Sequence, residues 1–233
     1  MERVSVGAVD ADGGEVEGLL EDLAGVAFEH GRPVRAIPSY RGQRNFPGLY
    51  FAACSGRHVG FESWLERDEA MALDFDPEVV AFAAQPFRLR WPNSRGGWRH
   101  TPDFFARRVD GVGVVIDCRP VDRIGPEDQE VFAATEFACR SVGWEFRLVA
   151  GHDPVWLGNV RWLAGYRQAR FRREPVASAL LMAFAQPAPL AVTAGSVGDP
   201  IGVLPVAYHL LWRGALRADL AVRLDGSAVV RAA

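Results

Sequence analysis

The stretch that most constrains this chain is Arg99-His100-Thr101-Pro102-Asp103-Phe104-Phe105. Val109-Asp110-Gly111-Val112-Gly113 follows, and then Val114-Val115-Ile116-Asp117-Cys118-Arg119-Pro120. Two apolar runs around Asp-Gly predict a β-hairpin, because the tight turns that join twisted strands need a positive φ that glycine adopts freely. Side chains alternate along a strand. Asp117 and Arg119 therefore share one face of the second strand, and Ile116 and Cys118 share the other. Carboxylates before and after the hairpin, with a cation two residues beyond the second, form a polar cluster beside an apolar sheet. Hard oxygen donors in this arrangement suit Mg²⁺. A surface hairpin with ordinary charges fits the same residues equally well.

The upstream element adds a third acid. Phe61-Glu62-Ser63-Trp64-Leu65-Glu66-Arg67-Asp68 opens a helical pattern that runs to about Leu73, and Asp76-Pro77 stops it. Glu62 lies near the start of this helix, where it can turn toward Asp103 and Asp117. Strands are predicted over 79–84, 86–91, 99–107 and 112–119, then a helix over 127–142 and a strand over 144–149. The fold class is α/β, with a mixed central sheet flanked by helices.

At these residues the chain resembles a known family. The order helix-Glu, Pro-Asp, Asp-x-Arg looks like the PD-(D/E)xK nuclease core of restriction endonucleases. Phe-Glu-Ser-x-Leu-Glu (61–66), Asp-Pro-x-Val (76–79), Gln-Pro (85–86), His-x-Pro-Asp-Phe (100–104) and Asp-x-Arg-Pro (117–120) together resemble TnsA, the endonuclease subunit of heteromeric transposases. The resemblance covers residues 30 to 150 well and the rest loosely. It implies a restriction-endonuclease-like core and a Mg²⁺-dependent endonuclease, with Mn²⁺ a substitute. It further implies nicking of the 5′ strand at double-stranded transposon ends, beside a DDE-type transposase and an AAA+ ATPase regulator; it leaves a homodimer open.

Glu62, Asp103 and Asp117, with the backbone carbonyl of Cys118, are then the metal ligands, and Arg119 completes the catalytic set. The family has lysine where Arg119 stands. Arginine keeps its proton and cannot readily act as a base, so Arg119 is expected to act electrostatically. Asp117 stands where TnsA resembles a glutamine position, which adds a hard ligand. Gln85 and His100 are accessory candidates. Gln85 also fits a hydrogen-bonded strand end, and His100 a surface or supporting group. A cleavage-deficient DNA-binding or partner-docking subunit, and a nuclease of defence or repair, remain as alternatives.

Net charge is −3, which by itself speaks against nucleic acid, but the charge is unevenly placed. Residues 1–30 hold eight acids against Arg3; setting them aside leaves 21 acids and 25 cations, a net of +4. Every cation is arginine, so no lysine is available for any catalytic role. The acidic segment 1–30 is expected to be flexible, with a short amphipathic helix around Leu19, Leu20 and Leu23. An acidic arm that competes with DNA and a merely solvated terminus both fit it.

Residues 31–50 interleave Arg32, Arg35, Arg41 and Arg44 with Tyr40, Phe46 and Tyr50, a pattern suited to phosphate contact and base stacking; a loop that packs its aromatics on the core while its arginines face water is the alternative. A hairpin is predicted over 49–60, and Trp91 and Trp98 flank a loop over 92–97. Three cysteines (Cys54, Cys118, Cys139) without a CxxC pair argue against a disulfide scaffold or a structural zinc site. With no apolar leader at the start and no span of membrane length, a cytoplasmic protein is expected.

The core is read as residues 31–150, and a boundary is expected near Gly151-His152-Asp153-Pro154. Beyond it, residues 161–173 hold five arginines and no acid: Arg161, Arg167, Arg170, Arg172 and Arg173. These are candidate DNA contacts, and a solvated helix face is the alternative. Residues 155–233 read as a small, mostly helical domain ending in a hairpin around Asp225-Gly226. That order suggests a winged-helix-like DNA- or partner-binding domain.

Overall fold

The computed structural model describes residues 3–37, 46–92 and 98–233. It is a mixed α/β chain with several sheets and seven α-helices among the described residues. The chain divides into two compact units, Met1–Gly151 and His152–Ala233. The expected loop over 92–97 lies almost wholly outside the described residues.

In the first unit, β1 (Ser5–Val9) and β2 (Glu15–Leu19) form a hairpin. Only Leu20–Leu23 is helical near the start (α1). The expectation of a flexible acidic segment therefore gives way to two strands. The acids Glu15 and Glu17 occupy exposed alternate positions of β2, while Val6 and Ala8 of β1 enter the core. β3 (Gly48–Ala52) and β4 (Arg57–Phe61) pair as the expected hairpin. Tyr50 is buried, and its hydroxyl donates to Asp74 at 2.8 Å, so it offers no stacking face to DNA.

Next come α2 (Trp64–Phe75), β5 (Val79–Ala84), β6 (Phe87–Trp91), β7 (Trp98–His100), β8 (Phe104–Arg108) and β9 (Gly113–Cys118). α3 (Pro126–Ser141) crosses over to β10 (Glu145–Val149), which lies parallel to β9. The strand expected over 99–107 is two strands in two sheets. β7 joins the sheet ordered β2-β1-β6-β7, whereas β8 joins the sheet ordered β10-β9-β8-β5. Thr101-Pro102-Asp103 makes the corner between them. Pro102 has no N–H to give to a ladder, so the strand breaks there.

The β10-β9-β8-β5 sheet is covered on both faces. Phe104, Ala106, Val114 and Ile116 pack into one apolar cluster, and Phe105 and Val115 into another. Asp103 and Asp117 extend these alternating strands just past their apolar stretches, at one end of the two central strands. That position keeps two carboxylates near each other while their strands stay buried.

In the second unit, α4 (Pro154–Ala164), α5 (Glu174–Ala183), β11 (Ala188–Pro189), α6 (Leu190–Val197), α7 (Pro200–Trp212), β12 (Leu216–Ala218) and β13 (Val229–Ala232) follow in order. The three strands form one small sheet ordered β11-β13-β12. Among the described residues no single helix is long and apolar enough to cross a membrane.

Asn159 is buried on α4 and staples the segment after β12. Its Nδ2 donates to Leu220 O and Val222 O at 2.9 and 2.7 Å, and its Oδ1 accepts from Leu224 N at 2.9 Å. Asn159→Ala removes all three bonds. At about 1 kcal/mol each, the expected loss is ~3 kcal/mol, read as a lower urea midpoint. An unchanged midpoint would show that water replaces the side chain.

Candidate functional site

The site is built where β4 hands over to α2. Glu62 is one residue past β4 and precedes the N-cap Ser63, so the helix begins at Trp64, three residues later than its pattern suggests. The reason is the N-cap at Ser63, backed by a bond from Glu66 to the residue before it. Ser63 Oγ accepts from Glu66 N at 3.2 Å, and Glu66 Oε2 accepts from Glu62 N at 2.7 Å. Ser63 Oγ also donates to Glu66 Oε1 at 2.7 Å. These bonds fix the backbone at Glu62 and place Glu66 in the same cavity.

That cavity, of about 600 Å³, is lined by Glu62, Glu66, Asp103, Asp117, Cys118 and Arg119, together with Arg35 and His100. Residues from widely separated parts of the chain thus meet in one place. Glu66 and Arg35 are the additions the sequence reading missed. Ser63-x-x-Glu66 is a legible capping signal that singles out Glu66. Arg35 was one of several arginines in a loop, and nothing in its local sequence marks it.

Each carboxylate has a protein partner. Arg35 grips Glu62 with both guanidinium arms, Nη1 to Oε1 at 2.6 Å and Nη2 to Oε2 at 3.0 Å. Gln85 Nε2 donates to Glu62 Oε1 at 3.1 Å. His100 Nε2 lies 2.7 Å from Asp117 Oδ2. Cys118 N donates to Asp103 Oδ2 at 2.7 Å. Arg119 reaches Asp128 at 3.2 Å, a residue in the first turn of α3 whose carboxylate also accepts from Gly125 N at 3.0 Å. His100 therefore has a defined partner inside the cavity rather than a place on the surface.

Gln85 is 3 % exposed, and its backbone sits in the left-handed region at φ 47°. A non-glycine residue is strained there and persists only where its surroundings hold it. Here its N–H donates to Asp103 O and its C=O accepts from Val34 N, both at 2.9 Å. Gln85 thereby ties the Arg35 segment and the Asp103 corner together, and its side chain adds Glu62.

The electrostatics follow from crowding acids in a half-enclosed space. Burial first, and then Asp117 and Glu66, hold the Asp103 carboxyl well above its ordinary pKa; the Cys118 N–H opposes them. Burial also raises Glu66. The hydrogen bonds to Glu62 raise Arg35 further, against burial, with Asp103 and Glu66 adding to the pull. The Cys118 thiol is driven upward by burial and by Asp103, so it is no nucleophile.

A divalent cation fits this donor set in chemistry, because hard carboxylates line the cavity and, among the described residues, no cation forms an ion pair with Asp103. As folded, no three Asp, Glu, His or Cys side chains among the described residues are arranged to hold a metal ion. The carboxylates are engaged with the partners named above.

At the rim, Phe46 stacks on Trp64 with centroids 5.3 Å apart, and the Arg67 guanidinium lies 4.1 Å from the Trp64 centroid. Both rings are exposed and line the cavity. Of the candidate DNA contacts, Arg41 and Arg44 lie outside the described residues. In the second unit, Arg161, Arg170, Arg172 and Arg173 are exposed. Arg172 pairs with Glu174 at 2.6 Å, Arg167 donates to Ala164 O at 2.5 Å, and Arg170 lies over the Phe171 ring.

No protein-family model matches the sequence, and no curated protein is significantly similar to it.

Proposed function

We propose that this chain is a Mg²⁺-dependent DNA endonuclease, with Mn²⁺ able to replace Mg²⁺. It would act as the cytoplasmic TnsA-like subunit that nicks transposon ends beside a DDE-type transposase and an AAA+ ATPase. The observation that carries the catalytic part is the meeting of Glu62, Asp103, Asp117 and Arg119 in one cavity, where the central strands of a mixed sheet end. A restriction-endonuclease-like core for the first unit belongs to the same reading. So does a winged-helix-like character for the second, where helices lead into the β12–β13 pair. The transposition setting rests on the five ordered motif matches.

Hydrolysis of a phosphodiester needs an activated water, neutralisation of the developing charge and help for the leaving alkoxide. Glu62, Asp103 and Asp117, with the Cys118 carbonyl, would hold the cation. When bound, it supplies the activated water and charge neutralisation. Arg119 and Arg123, both on the cavity wall, orient the phosphate through guanidinium hydrogen bonds. Arg119 stays protonated and does not move a proton in the reaction. Phe46 and Trp64 offer ring faces to a base next to the phosphate.

A second reading is a cleavage-deficient subunit of the same fold. The absence of lysine and the pairing of Arg119 with Asp128 favour it. Supercoiled plasmid separates the two. The nuclease converts it to open circle with Mg²⁺ or Mn²⁺ and stops in EDTA. DNA retained on a filter without any nicking, in either metal, would establish the docking subunit instead. Cleavage confined to transposon-end sequences would distinguish the transposition role from defence or repair.

A further inference from the structure

We infer that Arg35 is an exchangeable counter-ion, which leaves Glu62 for an arriving DNA phosphate and so couples phosphate binding to cation binding. The inference rests on the nuclease reading and deepens it.

The geometry sets up the exchange. Arg35 occupies both oxygens of Glu62, the acid that a cation would need. A guanidinium fork matches a phosphate as well as it matches a carboxylate, with two parallel N–H···O bonds in either case. A phosphodiester entering the cavity therefore offers Arg35 an equivalent partner. Among the described residues no second cation is bonded to Glu62. It keeps only Gln85 Nε2 at 3.1 Å, in a cavity already crowded with Glu66, Asp103 and Asp117. A released Glu62 then restores a free hard-oxygen donor just where the charge is least balanced.

The movement needed is small. The backbone around Arg35 is pinned by Val34 N to Gln85 O at 2.9 Å, and Ile37 sits so close to Gly60 that a Cβ there would meet it at 2.3 Å. The Arg35 side chain itself is 39 % exposed against 17 % for Glu62. Arg35 can therefore swing on its own stem while the segment stays in place.

Because the coupling is a free energy between two ligands, it is reciprocal: phosphate tightens the cation, and the cation tightens phosphate. The test measures Mn²⁺ binding to the full chain by electron paramagnetic resonance of the free ion, without and with a short duplex oligonucleotide. Wild type is expected to bind Mn²⁺ about 10-fold more tightly when the duplex is present, within the usual range of such couplings. Arg35→Ala is expected to bind Mn²⁺ about 10-fold more tightly than wild type without DNA, and to lose most of the duplex effect. Arg35→Gln, which keeps the side-chain length without the charge, should behave alike, and a melting curve for each variant confirms that it is folded.

Equal Mn²⁺ affinity in wild type and both variants would overturn the exchange and leave the nuclease reading standing. No Mn²⁺ binding by any of them, with or without duplex, would overturn the metal-dependent nuclease itself.

Discussion

Asp103→Asn is expected to abolish metal-dependent nicking and, in the metal-free protein, to raise the melting temperature. The two effects have one cause. Burial together with Asp117 and Glu66 keeps the Asp103 pKa well above the usual carboxylate range. A carboxyl raised in the folded state binds its proton more tightly there than in the unfolded chain. Stability is therefore greatest below the unfolded pKa, near 4, and falls as pH rises from there toward the raised folded value. At neutral pH the charged form is a standing cost to the fold.

Asparagine removes that charge and keeps an oxygen that can accept from Cys118 N, as Asp103 does at 2.7 Å. A gain of about 1 kcal/mol is expected, of the kind seen when a strained functional group is neutralised. Loss of a cation ligand should lower nicking by about 10³-fold, since a bound metal supplies several kcal/mol of transition-state stabilisation and each 1.4 kcal/mol is tenfold. Thermal melts from pH 4 to 8, beside plasmid nicking, check both halves. A lower melting temperature with nicking intact would make Asp103 a structural residue and remove the centre of the proposed site.

Phe105→Ala is expected to cost about 4 kcal/mol, the usual scale for deleting a buried aromatic. Phe105 is fully buried on β8 and sits amid Phe28, Phe87 and Trp144, with ring centroids 5.9, 5.7 and 4.8 Å away. Gly113, on the neighbouring β9, is small for this reason: a Cβ there would meet Phe105 at 2.7 Å and Trp144 at 2.9 Å. The ring lies two residues after Asp103, the corner residue that leads into β8. Its loss should therefore loosen the corner that aims Asp103 as well as lower the unfolding midpoint. Chemical denaturation followed by tryptophan fluorescence measures the loss of stability. A change below about 1 kcal/mol would mean that the core refills the space, against the packing described.

Much of the fold was legible because its signals are local. Alternation in 113–118 put Ile116 and Cys118 on one face, and Cys118 does pack against the cluster that holds Ile116. Asp76-Pro77 ended α2 as expected, and Gly143 closed α3 with a positive φ of 74°. The elements misread were those where a local pattern met a longer-range demand. The strand over 99–107 looked continuous because both halves are apolar or β-prone, yet Pro102 and two competing sheets split it. The acidic start looked solvated because its charges are dense. Period-two alternation in β2 lets those charges face water while the β1 side chains are buried.

The sequence alone determined which groups exist for chemistry. It singled out Glu62 near a helix start and Asp103 and Asp117 on either side of a hairpin, and, by lacking lysine, left arginine as the only cation and no ordinary base among the cations. Only the tertiary structure decided who faces whom: Arg35 on Glu62, His100 on Asp117, Arg119 on Asp128, and Glu66 turned into the cavity by its cap. The physical reason is that propensity and periodicity act over a few residues. Pairings between groups tens of residues apart are chosen by packing, burial and charge balance, which exist only once the chain has closed on itself.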